Sequence, residues 1–458
     1  MFTTDTYSLE AVRQQILGLA TPLPQRNGRL APAINLDNAA TTPPLAAVQA
    51  TVDRFLAYYS SVHRGAGLKS QTASAAYEEA RSIVGQFVGA RAGQHTTIFT
   101  RNTTEALNLL AHRLKLKAGD VIISTELEHH SNDLPWRAVA HVVHVRATPK
   151  GTFDEADFRA LLRQYAGRVR LVAVTGGSNV TGYLPPIHQL ATLAHSHNAQ
   201  IVVDAAQLAP HRRIDIGDLA DPAHLDYVAL SGHKLYAPFG AGALIGRADT
   251  FALGAPLLAG GGSVRRVTDT LVDWADGPAR EEAGTPNAVG AIALAAACLA
   301  LNELGVAAIA AHEAHLTARA LDQLASIRGL WLYGDPDPAH AAERLGVIPF
   351  CIEHYDSHLI AAILSYEYGI AVRSGSFCAQ PYVRRLLNLD RAGCEQGLPG
   401  LVRASFGLYT SEEEVDTLTD ALRAIADGRF DGRYTLDQAR GGYLPVGWQP
   451  ELPSLFRR

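Results

Sequence analysis

Four short stretches of this chain hold side chains that could perform chemistry, and each follows an apolar run. The first is Thr100-Arg101-Asn102-Thr103-Thr104-Glu105. Asn102 and Glu105 have the spacing of a capping box, and a helix start carrying hydroxyls is a seat for a phosphate. The second is Asp204-Ala205-Ala206-Gln207. A carboxylate at a strand end caps a helix or binds a ligand; beside a pyridine nitrogen it would keep the ring protonated and electron-withdrawing. The third is Ser231-Gly232-His233-Lys234. A lysine between a core strand and an apolar segment loses hydration, and a neutral amine can form a Schiff base. The fourth is Arg373-Ser374-Gly375-Ser376-Phe377-Cys378-Ala379-Gln380, where a thiol in a small-residue loop near an arginine could be nucleophilic. Taken singly, each has an ordinary reading: an N-cap, a capping aspartate, a turn lysine, a small buried hydrophobe. Only five lysines occur (Lys69, Lys115, Lys117, Lys150 and Lys234), so Lys234 is the one amine beyond position 150.

The elements that must position these groups alternate. Short strands are expected at 97–100, 121–124, 170–175, 200–204, 227–230 and 243–245, with helical stretches such as 187–197 between them. That pattern predicts an α/β fold with a mainly parallel sheet, helices on both faces, and ligands at the carboxyl ends of the strands. A helix is expected over 8–20, then an apolar helix from Ala288, a strand region near 345–353, and helices near 358–368 and 411–426. The expected division is an N-terminal arm (1–33), a large domain (34–300), a small α/β domain (301–426) and an irregular extension (427–458).

Composition narrows the function. Of 458 residues, 47% are apolar, and the formal net charge is −5, which argues against a broad basic nucleic-acid surface. The longest uncharged apolar run, Ala288 to Leu301, has fourteen residues. That is short of the roughly 18 expected of a membrane span, so it reads as a buried helix. The start, MFTTDTYSLEAVRQQ, has neither the basic nor the apolar region of a signal peptide. The cysteines (Cys298, Cys351, Cys378, Cys394) are too few and scattered for a disulfide framework or zinc site, so a reducing cytoplasm is the expected location. Cys298 and Cys351 read as core. His195 and His197 end a helix, where cations suit the dipole, and no metal is expected there.

Together these stretches resemble the class V aminotransferase-like family of pyridoxal-phosphate enzymes, and within it the group II (SUF-type) cysteine desulfurases and selenocysteine lyases. The resemblance runs from Leu36-Asp37-Asn38-Ala39-Ala40-Thr41-Thr42 to about Leu422. It includes Val62-His63-Arg64-Gly65, Thr103 to Ala106, Glu128-His129-His130-Ser131-Asn132 with Pro135-Trp136, and Ser178-Asn179-Val180-Thr181-Gly182. It continues through Asp204 to Gln207, Ser231 to Lys234, Glu282-Ala283-Gly284-Thr285-Pro286-Asn287, the Cys378 loop and Val402-Arg403-Ala404-Ser405.

The resemblance implies a fold type I, aspartate aminotransferase-like enzyme with pyridoxal 5'-phosphate as cofactor. Lys234 would bind the cofactor covalently and shuttle protons, Asp204 would pair with the ring nitrogen, Gln207 would bond its phenolic oxygen, and His129 would stack on its face. Thr103, Thr104, Ser231 and His233 would hold the phosphate. Gly284 and Thr285 would reach the phosphate of a neighbouring subunit, implying a homodimer. Asn179 and Arg403 would bind the substrate carboxylate, with His63, Arg64 and Arg373 lining the entrance. Cys378 would take the sulfur of L-cysteine as a persulfide, leaving L-alanine, and pass it to a sulfur acceptor. Nucleic-acid and membrane partners are not expected.

The chain departs from the family at Ser376 and Phe377, where histidines usually precede the cysteine. Residues 388–400 read as an insertion, and 219–225 and the tail beyond Asp427 as extensions. The rival readings are a C–S or C–Se lyase acting on cystine, S-substituted cysteine, cysteine sulfoxide or selenocysteine; an aminotransferase; and a scaffold without catalysis.

Overall fold

The computed structural model describes residues 8–63, 65–389, 400–439, 441–451 and 453–456. The chain forms two compact units. The first holds Thr41–Ser178 and Tyr183–Ala310; the second holds Leu9–Ala40, Asn179–Gly182 and the described part of Ala311–Arg458.

Unit one is built on a seven-stranded sheet of β1 (His95–Thr100), β2 (Val121–Thr125), β3 (His141–Val145), β4 (Val169–Thr175), β5 (Gln200–Asp204), β6 (Tyr227–Ser231) and β7 (Gly242–Arg247). The spatial order is β1-β7-β6-β5-β4-β2-β3. All neighbours are parallel except β7, which runs antiparallel to both β1 and β6. Strands β2, β4, β5 and β6 are buried on both faces and read as near-continuous apolar runs, as a helix-covered parallel sheet requires. Ile98, Leu107, Leu110, Ile122, Trp136, Leu171, Val202 and Leu244 form one core cluster.

Because β1, β2, β4, β5 and β6 point the same way, Thr100, Thr125, Thr175, Asp204 and Ser231 end along a single edge. β7 begins at that edge with Gly242. A Cβ there would come 2.5 Å from Leu230 O and 2.7 Å from Asn102 Cα, so the close approach of β7 to the Asn102 turn requires glycine.

The helix Ala288–Leu304 is buried along most of its length, so its apolar run serves the core of unit one; it packs on Ala46–Leu56 and Leu68–Phe87. Among the described residues no single helix is long and apolar enough to cross a membrane.

Unit two carries an antiparallel sheet of β8 (Leu330–Leu332), β9 (Val347–Ile352), β10 (Arg373–Gly375) and β11 (Leu401–Ser405), in the order β8-β9-β11-β10. The helix Glu412–Ala426 starts with a full capping box, Ser411 with Glu414. Two expectations change. The first helix spans only Leu9–Gln14, since the chain turns through Gly18 at φ +81°. The extension is not wholly irregular, because Tyr434–Asp437 and Gly442–Pro445 pair as an antiparallel hairpin. That segment is tied down by Glu367, whose carboxylate accepts from Asp431 N (2.9 Å), Gly432 N (2.8 Å) and Tyr434 OH (2.8 Å). The inserted stretch at 388–400 and Cys394 lie largely or wholly outside the described residues.

A buried ion pair positions the segment that carries Gly284 and Thr285. Arg81 reaches Glu282 at 2.6 Å and 2.9 Å, and its guanidinium lies over the rings of Tyr77 and Phe99. Glu282 also accepts from Tyr77 OH (2.7 Å) and Phe99 N (2.7 Å). Glu282→Ala leaves Arg81 with only the more exposed Glu78 as counter-ion (3.0 Å) and strips the Tyr77 hydroxyl and Phe99 N–H of their acceptor, and should lower unfolding free energy by about 2–4 kcal/mol in urea denaturation. A loss below about 1 kcal/mol would show that the pair does not anchor this segment.

Candidate active site

The cofactor-type residues of unit one gather at the common strand edge. The helix Thr103–Arg113 follows β1, with Asn102 as N-cap accepting from Glu105 N at 3.0 Å. The reciprocal bond of the expected capping box is displaced by one residue: the Glu105 carboxylate accepts from Arg101 N. The helix start is joined to the end of β6. Thr103 N donates to Ser231 Oγ at 2.9 Å, and the Ser231 hydroxyl donates to Thr103 Oγ1 at 2.9 Å. Thr104 is exposed and bonds Ser131 Oγ at 2.7 Å, which adds a hydroxyl that the sequence pattern does not assign. Two or more hydroxyls at the amino end of an eleven-residue helix make an anion seat.

Lys234 closes the 3-10 turn Gly232–Lys234 directly after β6. The turn is held from outside by the Thr41-Thr42 motif. Thr42 N (2.9 Å), Thr41 Oγ1 (3.0 Å) and Thr42 Oγ1 (3.2 Å) all reach the carbonyl of His233. Thr42 Oγ1 then accepts from Tyr236 N at 2.8 Å. This is the local task of those threonines, a role that only the folded chain exposes. His233 is pushed down to about 4 by burial and by the Lys234 charge, so it is a neutral hydrogen-bonding group at pH 7.

Asp204 is the last residue of β5 and is 6% exposed. Burial raises its pKa, while the Ala206 N–H and the charge of Lys234 pull it back. Oδ1 accepts from Ala206 N at 3.0 Å, and Oδ2 has no donor among the described residues. Gln207 is buried in the turn that follows. A carboxylate so placed fits a charged N–H donor, and the hydroxyl-lined helix start fits a phosphate: the donor set suits a phosphorylated pyridine aldehyde.

His129 lies after β2, and its Nδ1 accepts from Ser131 N at 3.1 Å. That bond puts the ring hydrogen on Nε2 and sets the ring's orientation. Behind it sits Glu128, which the sequence shows only as part of a motif. Glu128 is fully enclosed, takes bonds from Thr125 Oγ1 (2.6 Å), Asn132 Nδ2 (2.6 Å) and Thr175 N (2.9 Å), and is pushed up to about 8 chiefly by burial. Asn132 in turn accepts from Trp136 Nε1 at 3.0 Å, so the motif from Glu128 to Trp136 is one hydrogen-bonded block.

Gly284 and Thr285 are exposed, and Gly284 adopts φ +85°. His63 is exposed at φ +68°; its Nε2 lies 3.3 Å from Glu78, and its ring stands edge-on to Tyr77. Arg64 lies outside the described residues.

In unit two, Arg403 on β11 is 3% exposed. Nη1 donates to Asn179 O at 2.9 Å, and Nη2 meets Asp37 Oδ1 at 3.0 Å. Its Nε is buried with no partner among the described residues, an unmet donor suited to a carboxylate. Arg373 reaches the same Asp37 at 3.6 Å. The Cys378 loop is fastened by its neighbour. The Phe377 ring is buried 4.9 Å beneath the Arg403 guanidinium, and the Phe377 carbonyl accepts from Asn179 Nδ2 at 2.8 Å. Phe377 and Cys378 both sit in the left-handed region, at φ +52° and +54°. Cys378 is exposed, while Cys298 is buried with its thiol pKa well above normal.

Residues 34–418 match the aminotransferase class-V family. The chain belongs to that family. It is 36% identical over 405 residues to a cysteine desulfurase of Haloferax volcanii, covering 86% of this chain and 90% of that one. It is 37% identical over 434 residues to a cysteine desulfurase of Dickeya dadantii, covering 93% and 98%. Among solved structures, the apo cysteine desulfurase of Thermococcus onnurineus NA1 superposes with a TM-score of 0.81 at 33% identity, covering 93% of this chain and 100% of that one. A cysteine desulfurase of Escherichia coli in an S-sulfonic acid form gives 0.77 at 30% identity, covering 93% and 100%. The α/β architecture with its large mixed sheet is that of the fold type I enzymes.

Two tests follow from this geometry. The folded pKa of His233, about 4, lies below its usual value of 6.5, so between the two the unfolded chain binds more protons. Stability is therefore complete above about pH 6.5 and declines as pH falls toward about 4; His233→Asn should flatten that decline in pH-dependent denaturation, and an unaltered profile would refute it. Asn179→Ala strips the Phe377 carbonyl of its donor. It should cost about 1–3 kcal/mol and raise hydrogen exchange in 376–380 while leaving 227–234 protected. Unchanged exchange in the loop would remove Asn179 as its anchor.

Proposed function

We propose that this chain is a pyridoxal-phosphate-dependent cysteine desulfurase of the group II (SUF-type) kind, converting L-cysteine to L-alanine and carrying the sulfur as a persulfide on Cys378. The observation that carries the reading is the pairing of adjacent strand ends. β5 ends in a buried Asp204 with a donor-less oxygen, and β6 leads into Lys234, whose charge is felt at Asp204. The relatives named cysteine desulfurase, at 36–37% identity over most of the chain, support it.

The cofactor, when bound, supplies an electron sink for the substrate's Cα. Asp204 would hold its ring nitrogen protonated, and Thr103, Thr104, Ser131, Ser231 and His233 would receive its phosphate. His129 would face the ring, and Gln207 would donate to its oxygen. Lys234 Nζ would bind the aldehyde, then take and return the proton at Cα. Arg403, through its unpaired Nε and its fork, would take the substrate carboxylate, with Asn179 and Arg373 setting its position. The Cys378 thiolate would attack the substrate sulfur. An S–S bond forms, the C–S bond breaks, its electron pair stays with Cβ, and a proton replaces the sulfur there to give alanine. A nucleophile on the sulfur acceptor would then attack the outer sulfur, forming a bond to it as the S–S bond breaks and the Cys378 thiolate leaves. The exposed Gly284-Thr285 turn would serve the phosphate of a second copy, making a homodimer. A reducing cytoplasm would keep Cys378 as a thiol.

One observation favours a second reading. Phe377 packs its ring on Arg403 and has no proton to give, so the position directly before the thiol supplies no acid. A β-eliminating lyase acting on cystine, S-substituted cysteines or selenocysteine has no need of one. Wild type and Cys378→Ala, each given cysteine, cystine and selenocysteine, separate the two. Loss of alanine from cysteine by at least about 100-fold in the variant supports the desulfurase; pyruvate formed equally by both proteins establishes the lyase instead. Lys234→Ala should abolish both products and the cofactor's visible absorption band.

A further inference from the structure

The opposite edge of the large sheet holds a second cluster, far from the chemistry of the carboxyl ends. His195 lies in the last turn of the helix Ile187–Ser196, Asp226 immediately precedes β6, and His224 belongs to the extended stretch 219–225. Their ligating atoms, two ring nitrogens and a carboxylate oxygen, all lie within 4.8 Å of one another. His197, the other histidine at that helix end, turns away and contacts Leu193 O.

The hydrogen bonds determine which nitrogens are involved. His195 Nδ1 lies 2.7 Å from Pro222 O, and His224 Nδ1 lies 2.5 Å from Asp221 O. A carbonyl only accepts, so each Nδ1 carries a hydrogen and each neutral ring presents a lone pair at Nε2. Both lone pairs face the same carboxylate. His195 Nε2 is 2.9 Å from Asp226 Oδ2, and His224 Nε2 is 3.3 Å from Oδ1. Acceptor set against acceptor, twice, demands positive charge between them. One solution is a proton on each ring, which stacks two imidazolium ions at a centroid distance of 4.2 Å and an angle of 19°. The other is a single divalent cation.

The surroundings favour the metal. A backbone carbonyl on the remote nitrogen is the arrangement that orients metal-binding histidines. Ile201 N steadies Asp226 Oδ2 at 2.8 Å. Arg247 Nη1 also approaches Oδ1 at 3.4 Å, while the shorter contact of that guanidinium, from Nη2 at 2.6 Å, goes to Asp249. At the same edge, His95 receives Arg91 N on Nδ1, which leaves its buried Nε2 without a partner among the described residues.

We propose that His195 Nε2, His224 Nε2 and the Asp226 carboxylate bind one zinc-class divalent cation. Two imidazoles and one carboxylate are a borderline-soft set that suits zinc and leaves a position for water. The ion would clamp a helix end, a strand start and the stretch between them at the edge remote from Lys234, so its effect is on stability rather than turnover.

The test uses the full-length protein, stripped with chelator and then titrated with zinc sulfate. One zinc per chain should survive dialysis, measured by mass spectrometry, and thermal unfolding should move up, with turnover unchanged. His224→Ala and the size-conserving His224→Gln should each weaken zinc binding by at least about 10–100-fold and remove the thermal shift. Cys378→Ser should keep both. Zinc held equally well by the His224 variants, or no zinc and no thermal shift in the wild type, would overturn the proposal. The latter result would assign the cluster to protons alone.

Discussion

A carboxylate in a protein interior is costly unless something meets its charge, and at Asp204 the cost is incurred at the end of a core strand. One oxygen accepts from the Ala206 backbone, and the charge of Lys234, in the turn after the neighbouring strand, is felt at the same carboxylate. Everything at that edge is arranged around this incomplete pairing. The parallel run of β4, β5 and β6 sets the spacing, β7 returns antiparallel with glycine where it passes Asn102, and Thr41 and Thr42 grip the turn that bears the lysine. A charge met only in part by its own chain marks a functional-site candidate, and a protonated ring nitrogen is the kind of partner that would complete it.

The second unit solves a different problem. It must keep an arginine buried, yet leave part of its fork available. Asp37 supplies the counter-charge, Asn179 caps one nitrogen with its carbonyl, and Phe377 covers the flat face. Phe377, directly before the cysteine, thus serves as packing. Its side chain packs the loop against the arginine proposed to take the substrate carboxylate, so under that proposal loop conformation and carboxylate recognition would share one guanidinium.

Much of this was legible in the residues because the informative groups follow apolar runs. Gln200 to Asp204 reads as a strand ending in a carboxylate, and the structure places β5 over those same residues. Helix 187–197 and the strands flanking Lys234 differ by one or two residues at their ends. β3 is hard to read because His141 and His144 interrupt its apolar pattern, and the tail hairpin because Gly and Pro mask its alternation. At the site, the residues suited to touch a ligand carry distinctive chemistry and stand out by type. Their supports do not. Glu128, Ser131, Asp37, Thr42 and Glu282 act through partners from 3 to 366 positions away, and no local pattern announces such pairings. The stacking of His195 on His224 is hidden for the same reason: the helix end suggests a dipole, and only folding brings the second imidazole across.

The two consecutive left-handed residues at Phe377 and Cys378 carry a further implication. Side chains with a Cβ disfavour that region by about 1–2 kcal/mol each, so the loop is under tension that the buried ring and the Asn179 bond hold in check. Withdrawing the ring would let the backbone relax, and that relief would offset part of the cost of giving up the ring's packing and the Asn179 bond. The conformation that the loop holds is thereby less firmly favoured than its contacts alone would make it.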